Sequence, residues 1–462
     1  MPTHNRKRPN VIVLMADDHR GTELSHLPHS QASTPVLDAL ANRGVSFTQA
    51  HCQGGMTGAV CVPSRASLMT GRTIFASSED PTGGNPELRD VIPPDLGTFP
   101  EALRWAGYHT HAIGKWHNDR ESFRRSFSSG EAVAFIGMSD HHAVPIRAYQ
   151  PEKTGADEAF LGEIEHVEGF SSDIFTEAAI DFLNRDHESN PFLLYVAFTA
   201  PHDPRTPPPG WVVDPASIEL PPNFLPQHPF DNGDMDVRDE LLAGFPRTPA
   251  EVRQHIADYY GMIAHLDYSV GRILDAIDAR RLTEDTIVIY TGDHGLAVGQ
   301  HGLMGKQNLY EHSSRIPLVI AGPGVPSGER CADLVWHGDT TATIRALCGV
   351  EANPAGEGRT LIDQNRLVGM SRSLFGAAYE FGQRMFRDER YKLIRYSPIP
   401  ANAPDLGFTQ GTKMTQLFDL EQDSWEMHNL AEDPAYQEIV ERLTAGFHAW
   451  QSEVGDPLLA FR

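Results

Sequence analysis

Cysteine is scarce in this chain: four residues, Cys52, Cys61, Cys331 and Cys348, are scattered over 462 positions. That excludes a disulfide framework, and no spacing of a zinc or redox motif is present. Long apolar runs are also missing. The longest, residues 11–16 and 192–200, are far too short to cross a bilayer, so no membrane partner is expected. Positive charge is in deficit, with 38 Lys and Arg against 62 Asp and Glu, a formal net charge of −24. Nucleic acid is thereby excluded as a partner, because polyphosphate binding needs a basic face. An anionic substrate would have to be held by a local basic pocket against a repelling surface. There is no low-complexity tract and no internal repeat. The length predicts a globular chain of about two to three domain-sized units. Residues 1–9 are basic but run straight into a strand-like segment, unlike a cleavable signal. The sequence as it stands therefore suggests a cytoplasmic location, or a periplasmic or secreted one if a signal has been removed. Oligomeric state is not legible.

Three continuous apolar runs, residues 10–16, 191–198 and 286–291, have the composition of strands buried on both faces of a parallel sheet. Each ends in polar residues suited to chemistry: Asp17-Asp18-His19, Thr199-Ala200-Pro201-His202-Asp203 and Gly292-Asp293-His294-Gly295. Ligands in open α/β sheets bind at that edge. Paired acids there suit a hard cation, or a solvated turn. A shorter strand, residues 108–113, delivers Lys115 and His117, which an extended backbone would place on one side. Helices are expected over 34–41, 98–107, 171–186 (capped by Ser171 or Ser172), 248–280 (a Thr248/Glu251 capping box with Pro249) and 433–454. Residues 77–94 and 130–150 read as loops. The proline-rich stretch up to Pro249 is too long for an idle connector and is expected to face substrate. Residues 314–320 form a further strand, and 385–396 with 416–420 alternate like a small antiparallel sheet.

The chain is organised around Cys61-Val62-Pro63-Ser64-Arg65, followed by Thr70-Gly71-Arg72. On the residues alone this is a loop entering a short helix, with Pro63 in its first turn and Gly71 as a left-handed cap. Cys61 then sits at the positive end of the helix dipole, where a thiol is acidified and anions are favoured. Arg65 adds a planar donor fork for a tetrahedral oxyanion. The whole string resembles the signature of the type I, formylglycine-dependent sulfatases. That resemblance spans most of the chain. It implies an α/β fold, the alkaline-phosphatase-like α/β/α sandwich with a large mixed, mainly parallel sheet over residues 1–370. Residues 371–462 would form a C-terminal subdomain with a small antiparallel sheet and a closing helix.

The resemblance also assigns roles. Cys61 is converted to 3-oxoalanine (formylglycine) by a formylglycine-generating maturation enzyme, and its hydrated aldehyde attacks sulfur in line. Asp17, Asp18, Asp293, His294 and the modified Cys61 hold a divalent ion: calcium in the first place, with magnesium or another ion open because histidine suits softer metals. Arg65, Lys115 and Lys306 grip the sulfate. Asp293 helps deprotonate the attacking hydroxyl, His202 protonates the leaving alcohol and His117 assists the collapse that frees sulfate and regenerates the aldehyde. Gly292–Gly295 with Gly299-Gln300-His301-Gly302 and Gly305-Lys306 is similar to the bacterial carbohydrate sulfatases and their iduronate-2-sulfatase-like relatives. The substrate expected is a sulfated saccharide cleaved in exo fashion, a 2-O-sulfated uronate first among them. His141, His142, Asp203 and Arg205 are candidates for reading it. Two alternatives stand beside this reading: a phosphate or phosphonate ester hydrolase on the same scaffold, and an unmatured saccharide-binding protein without turnover.

Overall fold

A computed structural model describes residues 8–82, 85, 87–153, 160–187, 190–369, 372–399 and 411–461. The three apolar runs lie side by side in the middle of an eight-stranded sheet. Its order is Glu329–Cys331, Gly44–Phe47, Leu318–Ala321, Thr286–Gly292, Asn10–Ala16, Phe192–Ala197, His109–Lys115 and Ser129–Ala134. Asn10–Ala16 runs parallel to both its neighbours and is buried along its whole length. Only Leu318–Ala321 runs against the strands beside it, so the sheet is mixed but mainly parallel.

Alternation along the central strand splits the core in two. Val11, Val13 and Met15 pack with Ala66, Leu68, Met69, Phe99, Leu103 and Ile344 on one face. Ile12, Leu14 and Ala16 pack with Leu37, Leu40, Phe175, Ala179, Leu266, Val270 and Ile273 on the other. Helices thus cover both faces, as a sheet apolar on both sides requires. Each fully buried aliphatic side chain contributes roughly 1.5–3 kcal/mol, which is why the strand interiors are uniformly apolar and the polar chemistry is confined to their ends.

The second sheet is a meander of Phe375–Tyr379, Gln383–Arg387, Tyr391–Tyr396 and Met414–Asp419. Its fifth strand, Gly54–Gly55, pairs parallel to Phe375–Tyr379 and comes from the segment just before Cys61. The helix Gln437–Val454 closes over this sheet through Leu443 and Phe447. The expected boundary between residues 370 and 371 lies outside the described residues.

Local expectations need correction in four places. Residues 130–150, read as loop, contain the edge strand Ser129–Ala134 and Ala143–Ile146, which pairs with Glu165–Glu168. Strands this short, one carrying an irregular register, give no clean period. The helix Ser171–Asn184 is preceded by Phe170, and neither serine caps it; the Ser171 hydroxyl instead meets His141 Nδ1 at 2.8 Å. The Thr248 box is only half made. Thr248 accepts from the Glu251 N–H, but the Glu251 carboxylate accepts from the Gly244 N–H. Finally, the helix His337–Leu347 escaped notice because its buried face is polar, carrying Thr340, Thr341 and Thr343.

Candidate active site

The carboxyl ends of four sheet strands deliver the site. Asp17 and Asp18 follow Asn10–Ala16, and Asp293 and His294 follow Thr286–Gly292. Asp18 adopts a left-handed φ of 66°, a cost that the surroundings must offset. Its carbonyl accepts from the Tyr259 hydroxyl (2.7 Å), and its N–H donates to Asp293 Oδ1 (3.1 Å). Lys115 ends its strand just past a register irregularity at Ile113/Gly114. Gly114 has φ 84°, and a Cβ there would lie 2.0 Å from the Ala197 carbonyl. Gly114→Ala should therefore cost at least about 2 kcal/mol and lower activity through a displaced Lys115; thermal melting and kcat/KM measured together check both parts.

Cys61 opens the helix Cys61–Thr70, every residue of which is buried, and Gly71 ends it with φ 73°. No side chain caps its start, but the Val62 N–H donates to the Ala59 carbonyl and Pro63 has no N–H, so it is chiefly the helix dipole that favours an anion there. Cys61 Sγ and His117 Nδ1 share a hydrogen bond of 3.0 Å. Burial opposes ionisation, but His117, Lys115 and Lys306 together hold the thiol well below its ordinary value. One turn on, Arg65 Nε donates to Asp293 Oδ2 (3.0 Å), with a guanidinium nitrogen 3.6 Å from Asp17. Lys115 Nζ pairs with Asp17 at 2.5 Å. Lys306 Nζ donates to Asp18 Oδ1 (2.9 Å) and to His202 Nε2 (3.0 Å). Three acids and three permanent cations are thus interleaved in a buried cluster.

His202 Nδ1 lies 2.8 Å from the Asp203 carbonyl. The tautomer that satisfies both contacts carries its proton on Nδ1 and leaves Nε2 as acceptor. Of the four residues expected to read substrate, His141 is placed otherwise. It is buried, with Nε2 2.8 Å from the His202 carbonyl and Nδ1 on Ser171, so it supports the His202 turn from beneath. His142 is exposed, its Nε2 3.3 Å from the Thr206 carbonyl. Asp203 is bound by Arg238, which also reaches Asp239 at 2.8 Å. Arg205 is nearly buried, its Nε without a partner.

The proline-rich excursion supplies residues that carry no motif. Glu240, paired with Arg247 (2.6 Å), accepts from the N–H groups of Met304 and Gly305 (2.9 Å each) and so fixes the turn that presents Lys306. Gln307 bridges Asp239 (2.9 Å) and the Gly58 carbonyl (3.1 Å), tying that turn to the approach to Cys61. From the unforeseen helix, His337 Nε2 lies 3.3 Å from the Asp293 carbonyl.

Asp17, Asp18, Asp293 and His294 offer ligand atoms that all lie within 4.8 Å of one another, as do Cys61, Asp293 and His294. Asp17 Oδ1 and His294 Nε2 are buried with no hydrogen-bond partner. Three carboxylates, one imidazole and two orphaned donor atoms fit a divalent cation. Without it, burial lowers the His294 pKa but Asp293 and Asp18 push it up to about 9. The Asp293 carboxyl is held far below the usual range against its burial, by His294 and Arg65.

The family model described as "Sulfatase" matches residues 9–350, and that of "N-sulphoglucosamine sulphohydrolase, C-terminal" matches residues 299–453. Choline-sulfatase of Rhizobium meliloti is 27% identical over 455 residues, 92% of this chain and 83% of the relative. N-acetylglucosamine-6-O-sulfatase of Bacteroides thetaiotaomicron is 25% identical over 496 residues, 93% and 82% of the two chains. A protein solved in complex with its substrate D-glucosamine-2-N,6-O-disulfate superposes with a TM-score of 0.77 at 22% identity, covering 97% of this chain and 99% of that one. The phosphonate monoester hydrolase of Agrobacterium radiobacter superposes at 0.71 with 21% identity, covering 97% and 96%.

Proposed function

Since the chain belongs to the sulfatase family, sulfuric ester hydrolases with the alkaline-phosphatase-like fold, we propose that it removes sulfate from a sulfated saccharide through formylglycine made from Cys61. The observation that carries this reading is the convergence of Cys61, the Asp17/Asp18/Asp293/His294 cluster and the cations Arg65, Lys115 and Lys306 at one sheet edge. The saccharide is supported by the match of the C-terminal third to the N-sulphoglucosamine sulphohydrolase model and by the relative acting at the 6-O position of N-acetylglucosamine.

Asp17, Asp18, Asp293, His294 and residue 61 would hold the ion, which we take to be calcium because oxygen ligands dominate the set. Bound there, it supplies positive charge opposite the sulfate oxygens and acidifies the nucleophile. Everything else is the work of the chain. Arg65, Lys115 and Lys306 balance the charge of the sulfate in a site from which water is largely excluded, where fixed cations act most strongly. Lys115 and Lys306, now paired with Asp17 and Asp18, can turn toward the anion once those acids are otherwise engaged. His117 lies against residue 61 and is placed to take a proton from it. Once Lys306 has turned to the anion, His202 would take up a second proton on Nε2, with Nδ1 still on the Asp203 carbonyl and Asp18 nearby at 3.8 Å, and from Nε2 hand it to the leaving oxygen.

A proton donor matters most for a poor leaving group. His202→Ala should cut kcat about 10²- to 10⁴-fold on a sugar sulfate and much less on an activated aryl sulfate; equal losses on both would remove His202 from that role. The reading as a whole is tested by sulfate release from sulfated mono- and disaccharides and choline sulfate, using protein co-expressed with a formylglycine-generating enzyme. Phosphate and phosphonate esters form the counter-screen. No release from any sulfate ester, with peptide mass confirming conversion at residue 61, would overturn it.

A further inference from the structure

A second cavity, of about 250 Å³, lies where the Arg20–Glu23 loop, the turn after the helix Glu311–Ser314 and the segment 424–426 of the C-terminal unit meet. Leu27, His29, His312, Arg315 and Trp425 are among its walls. Three carboxylates also line it, and each already has a partner. Glu23 is paired with Arg20 (3.3 Å) and accepts from Ser30 (3.2 Å). Glu311 lies 3.0 Å from both Lys392 and Arg387. Glu426 pairs with Lys392 (2.8 Å) and accepts from the Glu311 N–H (2.7 Å).

Arg315 is the exception. Its guanidinium makes no ion pair with any described residue, and its Nε is buried with no hydrogen-bond partner. His312 Nε2, 2% exposed as a residue, is likewise unpartnered. Neither can be dismissed as a loose surface group. A Cβ at Gly21 would lie 2.8 Å from Arg315 Cγ and 2.7 Å from the Ile316 backbone, so the loop presses directly on the stem of Arg315. A half-buried guanidinium whose Nε is buried and which, though near Glu311, has no ion pair is unfavourable unless something answers it, and a planar fork lining a cavity is the geometry that takes an oxyanion.

We propose that this cavity binds a small oxyanion, a sulfate or carboxylate group seated on Arg315 and His312 Nε2, with any attached sugar lying against Leu27 and Trp425. The site shares no residue with the catalytic cluster, and the inference does not depend on the reaction carried out there.

Crystals of the Cys61→Ala protein soaked in selenate test it, because selenium is located by its anomalous signal. The expected result is a selenium peak at the Arg315 guanidinium that is lost in Arg315→Gln, while any peak at the catalytic cations persists in both. Arg315→Lys keeps the charge without the fork and should weaken binding about 10-fold or more, read as selenate Kd. Soaks with glucuronate separate the two sources of the anion: density with selenate alone restricts the site to free oxyanions, and density with glucuronate extends it to acidic sugars. An empty cavity with both ligands, in the parent crystals, overturns the proposal whether or not the Arg315 variants fold.

Discussion

Cys61→Ala should lose sulfate release by about 10⁴-fold or more while melting close to the parent temperature. The size of the effect follows from the role: removing a nucleophile removes the covalent route itself, and what remains is the rate that bound cations give to water. The modest effect on the fold follows from the surroundings. The side chain is small and lies at the start of its helix, where its thiol is hydrogen-bonded to His117 and lies beside Asp293 and His294. The helix is held by other means: Ser64 Oγ on the Asp293 carbonyl (2.5 Å), the Gly71 cap, and Leu68 and Met69 in the core. Sulfate release and thermal melting on the same preparation check both halves. Turnover within 10-fold of the parent would show that residue 61 is not the nucleophile.

Asp293→Asn should damage both activity and stability. Asp293 Oδ1 accepts from the N–H groups of Asp18 and His294, and Oδ2 binds Arg65. The amide keeps the shape but removes the charge that answers a fully buried guanidinium. Leaving one partner of a buried pair uncompensated costs about 3–5 kcal/mol. Activity should fall about 10²- to 10³-fold or more, since Arg65 and the ion both lose their anchor. The pH dependence has a definite sign. The native carboxyl is depressed below the unfolded value near 4,. Its contribution is therefore complete above about pH 4 and declines as the pH falls below it, where the unfolded chain takes up the proton and the native one does not. In chelator-treated protein the gap between parent and variant should be widest near neutrality and narrow in acid. A gap that is constant with pH would mean that the charge of Asp293 contributes nothing to the fold.

Much of this cluster is legible in the sequence. Strands buried on both faces announce themselves as unbroken apolar runs, and acids or histidines directly after them can hardly be core, so Asp17, Asp18, His202, Asp293 and His294 stood out. The supporting residues did not. Arg238, Asp239 and Glu240 lie in a segment whose conformation is set by side-chain ties to remote loops, such as Glu240 to Met304 and Gly305, and such ties leave no period. His141 looked like a loop residue beside the substrate because a sequence gives no direction for a side chain; both its nitrogens turn inward. The helix His337–Leu347 was hidden for a related reason. It buries threonines against the Cys61 helix, Thr341 donating to the Leu68 carbonyl, and a polar stripe does not register as a core face.

The pairing of Gly54–Gly55 with Ala378 and Tyr379 bears on the order in which the chain assembles on the ribosome. The segment that leads into Cys61 is an edge strand with no sheet to join until more than three hundred further residues have been made. The helix His337–Leu347, which packs on the Cys61–Thr70 helix, also emerges late. For most of synthesis, then, the cysteine lies on a stretch whose final clamps do not yet exist, and its burial is among the last events. A maturation enzyme of the kind proposed for Cys61 would have that interval in which to reach the thiol, and a chain refolded from the complete polypeptide would pass through it only briefly.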